Sequence, residues 1–252
     1  MDSMNLKDIV KDSFRYAAAS WYNVILLGIV LLLADHLVDA NTGLIDGWLD
    51  FVLLIIALAL AVLEAGYAFR MLEETVNGSV KPPKINRIFS LFSHGIREIV
   101  VTVLYFFTPI VLFFLGFDLI SAFVEINLGA LNTILGWDID QLTFMVFFGL
   151  FFILISGISI IFEGALLNMA NNHGTIRSAF NFPHIFYKLK KIGFKRLLLI
   201  YLITLVLLSI IQGIISDSLH QLPVIGDILL TLIITPYLLM VTTRMLGLID
   251  AS

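Results

Sequence analysis

The chain has 252 residues, 60% of them hydrophobic and only 13% charged, with a formal net charge of −4. A water-surrounded domain is nearer half apolar and a quarter charged, so this composition excludes a soluble globular protein and calls for a bilayer. With no cysteine in the sequence, a disulfide framework, a thiolate nucleophile and a cysteine metal site are excluded too.

In chain order, the first feature is a basic amphipathic segment. Leu6, Ile9, Val10, Phe14 and Ala17 recur at helical spacing beside Lys7, Lys11 and Arg15. It leads into an apolar stretch, Trp21–Leu37, that reads as a membrane anchor and not as a cleavable signal, because further spans follow. A second span is expected over Trp48–Phe69, after a connection whose charges are Asp35, Asp39 and Asp46. Ile85, Ile88, Phe89, Phe92, Ile96 and Ile99 then repeat the amphipathic pattern beside Lys84, Arg87 and Arg97. Spans three and four are expected over Ile99–Val124 and Leu142–Leu167. Ile176, Phe180, Ile185, Phe186 and Leu189 give a third amphipathic segment beside Lys188, Lys190 and Lys191. Spans five and six follow over Arg196–Ile215 and Val224–Leu246.

The fifteen Lys and Arg all fall before span one, between spans two and three, between spans four and five, or at the end of span six. The alternate connections hold ten acids and no base, from Asp35 to Asp227. Basic connections stay on the cytoplasmic side during insertion, which predicts cytoplasmic N- and C-termini and a plasma-membrane, multi-pass protein. Each basic segment is expected to lie in the inner interface with its apolar face among acyl chains. The alternative is a charged loop whose residues happen to alternate. Lys7, Lys11, Arg15, Lys84, Arg87, Arg97, Lys188, Lys190, Lys191, Lys195 and Arg196 are candidate contacts for anionic headgroups.

The predicted fold is therefore an all-α membrane protein. Six transmembrane helices form a single integral domain over residues 1–252, built as three tandem repeats of interfacial helix plus two spans (about 5–80, 84–174 and 175–248). The even-numbered spans close alike on Gly78, Gly174 and Gly247, where a helix C-terminus favours glycine. They also carry stripes of small and polar residues: Ala57, Ala61, Ala65 and Ala68; Ser156, Ser159 and Ala165; Thr231, Thr235 and Thr242. Such stripes mark close helix contact in membranes, so the even spans are expected at the centre.

Gly66-Tyr67, Arg70, Gly78, Pro82-Pro83, Gly95, Pro109, Asn168-Met169-Ala170, Phe180 and Arg244–Gly247 together resemble the signature of the DUF4013 family. The resemblance covers about Leu6 to Leu248. Lys81-Pro82-Pro83 stands where the family pattern has leucine-proline. The resemblance implies a six-helix archaeal membrane protein, and it supplies no catalytic residues.

Charge inside a span is the best pointer to function. Glu64 and Glu163 qualify, with Tyr67, Asn168, Ser159 and Thr235 as polar neighbours of a candidate intramembrane site. The glutamates either bridge helices structurally or handle a proton or cation. Asp35-His36 could hold a cation or simply be solvated; Asp138 and Asp140 in the turn Trp137–Gln141 read as a surface loop more than a calcium site. Five scattered histidines assemble no metal cluster, and HExxH, Walker, GxSxG and dinucleotide motifs are absent. Neither cofactor nor nucleic acid is expected. Three function classes remain: a non-enzymatic protein acting through lipid or protein contacts at the inner leaflet, a transporter or channel with Glu64 and Glu163 along a central path, and, last, an intramembrane lipid enzyme. A protein partner or homo-oligomer is compatible with all three.

Overall fold

The computed structural model describes residues 5–39, 47–135, 139–219 and 225–251, and over these it is helical without a strand. The expected turn at Trp137–Gln141, apart from the start of a helix at Ile139, lies outside the described residues, as do Asp46 and His220. Among the described residues five helical runs are long and apolar enough to cross a membrane: Trp48–Val76, Ile88–Leu119, Phe144–Asn171, Phe194–Leu219 and Ile225–Asp250. The expected first span qualifies only as a pair, α1 (Leu6–Ala18) with α2 (Trp21–Asp39), bent by 78°.

The first basic segment is the separate helix that the periodicity predicts. Asn5 opens α1 in extended conformation, Asp8 lies in its first turn and Arg15 in its last, each sign matching the helix dipole. Its buried face is Ile9, Ser13, Tyr16 and Ala17, and that face packs on another helix of the chain, α11 (Thr235–Ala251), so it is not left to acyl chains. The second segment departs from expectation. After α3 (Trp48–Val76), the helix α4 runs unbroken from Ile88 to Leu135, so the basic stretch and the third span are one element. At 48 residues it is about 72 Å long, more than twice the hydrocarbon thickness. No glycine or proline separates Arg97 from Val101 to stop it. After α5 (Ile139–Asn171), the third segment does break: α6 (Ile176–Ala179) and α7 (Phe182–Ile192) are set off from α8 (Phe194–Leu205) by Gly193 at φ 94°, a conformation suited to glycine.

The fifth crossing continues from α8 through π turns at Val206–Ile211 into α9 (Gln212–Leu219). The sixth runs from α10 (Ile225–Leu229) through π turns at Leu230–Ile234 into α11. Pro236 accounts for the second widening: it has no N–H for the Leu232 carbonyl four residues back. That carbonyl lies against Gly28 of α2, where any Cβ would overlap it.

The chain forms two compact units. Val100–Phe162 is an antiparallel hairpin of α4 and α5 held by tilted and edge-on ring contacts. Phe117 meets Phe147 at 4.4 Å, Phe113 meets Phe151 at 5.5 Å, and Tyr105 meets Phe162 at 5.7 Å between centroids. The other unit, residues 1–99 and 163–252, carries the basic helix ends. Within it α3 and α11 are the most enclosed crossings, with 28% and 33% of their apolar cores buried against 13% for Phe194–Leu219. α5 enters this unit only with its last turns, so the fourth span is central there over Gly164–Ala170 and not along its length. Gly247 also departs from expectation: it sits inside α11 and makes room for Thr75, whereas Gly78 (φ 85°) and Gly174 (φ 69°) do follow helix ends.

Candidate functional site

The turn from α3 to α4 gathers a set of residues that the sequence shows only as spaced letters. Tyr67 Oη and Asn23 Nδ2 both donate to the Pro83 carbonyl, at 3.2 and 3.1 Å. Arg70 donates to the backbone and side-chain oxygens of Asn86 at 3.2 and 3.1 Å, and to Glu74 at 3.3 Å. Gly78 ends α3 in a Schellman motif, with Ser79 N donating to Glu74 O at 2.8 Å and Gly78 N to Thr75 O at 3.0 Å. Gly66 and Gly95 let α3 and α4 touch backbone to backbone. Gly66, Tyr67, Arg70, Gly78, Pro83 and Gly95 thus hold a single tight hairpin.

Three polar joints tie the basic ends of the helices together. In the first, buried Arg244 of α11 pairs with Asp12 of α1 through Nε and Nη2, both at 3.1 Å. The same guanidinium donates to Thr75 Oγ1 at 3.2 Å and to the Ser79 carbonyl, and lies 4.3 Å from the Tyr16 ring centroid. Burial, opposed by the Arg244 charge, pushes the Tyr16 hydroxyl up to about 12. In the second joint, Arg97 of α4 donates to the Gly174 carbonyl at 3.2 Å. The two oxygens of Glu73 on α3 lie 3.8 Å from Nδ1 of His94 and Nδ1 of His173. His173 takes a left-handed φ of 53°, so that Gly174 N reaches back to Met169 O. In the third, Lys188 of α7 donates to Asp250 at 2.8 Å and to Leu167 O at 3.1 Å, and Asn171 donates to the same Asp250 oxygen. Asn168, buried, donates to Ser178 O at 2.8 Å.

Each joint therefore links the C-terminal ends of two of α3, α5 and α11 through a residue of a basic segment. Nothing in the spacing of Asp12, Arg244, Lys188 or Asp250 announces this, because the partners are far apart in sequence. A buried guanidinium with its hydrogen bonds filled is a structural clamp, and removing its partner leaves a charge that burial penalises.

The structure redistributes the candidate intramembrane residues. Glu64 is half-buried on α3, and its Coulombic neighbour is Glu98 of α4, not Glu163. Glu98 escaped attention in the sequence because it belongs by position to a basic segment, one turn beyond Gly95. Glu163 is half-buried on α5 with one carboxylate oxygen enclosed and without a hydrogen-bond partner among the described residues. Tyr67 and Asn168 serve the hairpin and the third joint. Ser159 lies half-buried in the Val100–Phe162 unit, and Thr235 lines a cleft beside α2 and α3.

The basic residues divide into two groups. Arg70, Arg97, Lys188 and Arg244 turn inward, each hydrogen-bonded to another part of the chain. Lys7, Lys11, Arg15, Lys81, Lys84, Arg87, Arg177, Lys190, Lys191 and Lys195 are exposed, and Arg196 is half-buried. On the second and third basic segments large exposed rings stand beside them: Phe89, Phe182, Phe186, Tyr187 and Phe194.

The family of proteins of unknown function DUF4013 matches residues 50–217, two thirds of the chain. No curated protein and no solved structure matches it.

Proposed function

We propose, from the premise that the chain belongs to the DUF4013 family, that it is a non-enzymatic multi-pass protein of the plasma membrane with both termini cytoplasmic. It acts through a basic collar at the inner leaflet that holds anionic lipid headgroups and so organises the membrane or an associated assembly. The observation that carries this reading is the division of the basic residues. Four are used to lock helix ends together, while ten of the other eleven are exposed, and on the segments after α3 and α5 they stand with exposed aromatic rings. Lysines and aromatic rings at one level suit the headgroup interface, at roughly 1 kcal/mol of attraction per nearby base. The three joints support a threefold repeat, since each joins two even-span ends and one basic segment in the same way.

The test is retention of lipid. Purified from membranes containing phosphatidylglycerol, the wild-type chain should carry that lipid. A Lys190→Glu, Lys191→Glu, Lys195→Glu variant should lose most of it while keeping its thermal stability. Equal retention by both proteins defeats the proposal. A second reading, a path for a small solute or ion, now runs past Glu64 and Glu98. Glu64→Gln with Glu98→Gln in liposomes tests it, and unchanged flux in a folded double variant removes it.

A further inference from the structure

The helix bundle also contains a cleft of about 540 Å³ at the end away from the basic segments, between α2, α3 and the π turns ahead of α11. It follows from two features of the sequence. Below it, Gly28 brings α2 onto the Leu232 carbonyl; above that crossing, Ala34 of α2 and Ala57 and Ala61 of α3 leave the space between the helices unfilled. The π turns that Pro236 imposes set Thr231 and Thr235 along the far wall. The lining is mostly apolar and runs along two turns of α3, about 10 Å. A void between membrane helices forfeits contacts on every side, and the nearest apolar material is the chain of a bilayer lipid. Among the described lining residues the charged one is Asp35, whose carboxylate is exposed. The sequence places no Lys or Arg at this end of the spans, so the chain itself offers that carboxylate neither.

We propose that this cleft seats one chain of a membrane lipid whose headgroup amine rests on Asp35. Charge selects the headgroup: an ammonium pairs with the carboxylate, whereas a headgroup carrying only a phosphate is repelled. The site thus takes the opposite kind of lipid from the basic collar and does not depend on it.

The experiment uses the whole protein exchanged into equal amounts of phosphatidylethanolamine and phosphatidylglycerol with identical chains, with bound lipids read by native mass spectrometry. The wild type should retain phosphatidylethanolamine, and Asp35→Asn should retain about two- to fivefold less, the ratio expected of one partly exposed ion pair. Ala61→Trp, which fills the cleft, should lose that species. No phosphatidylethanolamine on the wild type, or undiminished retention in Asp35→Asn, overturns the proposal. Asp35→Asn lies on an exposed rim and decides the matter even if Ala61→Trp fails to fold. The collar is read in the phosphatidylglycerol-bound species, so the two ideas fail separately.

Discussion

Gly66 of α3 and Gly95 of α4 face each other with nothing between them. A methyl group on either would sit 2.9 Å from the amide nitrogen of the other and overlap a carbonyl, that of Leu91 or Val62. Gly66→Ala or Gly95→Ala must therefore separate α3 from α4. Overpacking of this kind costs about 1–3 kcal/mol, and here backbone gives way on both sides, so the upper end is expected. Thermal unfolding in detergent should show a large fall for each, and the double variant should cost less than the sum, because one separation serves both.

Buried Arg244 holds Asp12, Thr75 and Ser79 at once. Arg244→Ala should destabilise by about 3–5 kcal/mol, because it leaves Asp12 without its partner and empties a buried site. Asp12→Asn should cost less, since that carboxylate is 36% exposed. Arg244→Lys should restore only part of the loss, a single ammonium being unable to reach Asp12, Thr75 and Ser79 together. Unfolding of the four proteins under one set of conditions measures all of this.

The Tyr16 hydroxyl gives a pH signature. Its folded-state value is raised to about 12 against 10 unfolded, so the unfolded chain releases this proton first. The stabilisation is fully present below pH 10 and is lost as pH rises toward 12, by roughly 3 kcal/mol in all. Tyr16→Phe keeps the ring under the guanidinium and should flatten this part of the stability profile.

Lys188 and Lys190 are two residues apart and should behave as opposites. Lys188→Gln breaks the third joint and should lower stability by about 2–4 kcal/mol with little effect on lipid retention. Lys190→Gln should leave the melting transition in place and weaken lipid retention. Melting curves and bound-lipid analysis of the two variants separate the inward base from the outward one.

His173 holds a left-handed backbone that glycine adopts without strain. His173→Gly should gain about 1 kcal/mol locally and lose the contact with Glu73. The His173 side chain is 89% exposed, so the lost contact is weak, and the variant should melt higher than the wild type.

Five or six apolar crossings were legible because apolarity is a property of composition along the chain. The Gly66, Tyr67, Arg70, Gly78, Pro83 and Gly95 pattern was visible too, though its reason was not. Its members meet only when α3 folds back on α4, and spacing alone does not state which backbone a glycine must clear. The continuity of α4 was hidden because three segments share one amphipathic period and differ only in what ends them: Ala19-Ser20, nothing, and Gly193. The joints were hidden for another reason. Asp12 and Arg244 are 232 positions apart, and neither differs in local context from a solvated surface charge. Glu98 was overlooked because its neighbours in sequence are basic, while its neighbour in space is Glu64.

The pairing of Asp12 with Arg244 also has a consequence in time. Asp12 on α1 is translated 232 residues before its partner Arg244. At 5–20 residues per second that interval is on the order of tens of seconds. Throughout it, α1 has emerged but its buried face, Ile9, Tyr16 and Ala17, has no α11 to pack on. The clasp closes only after α11 has been translated, so an accessible α1 is the mark of a chain on which α11 is still to be made or has been wrongly inserted.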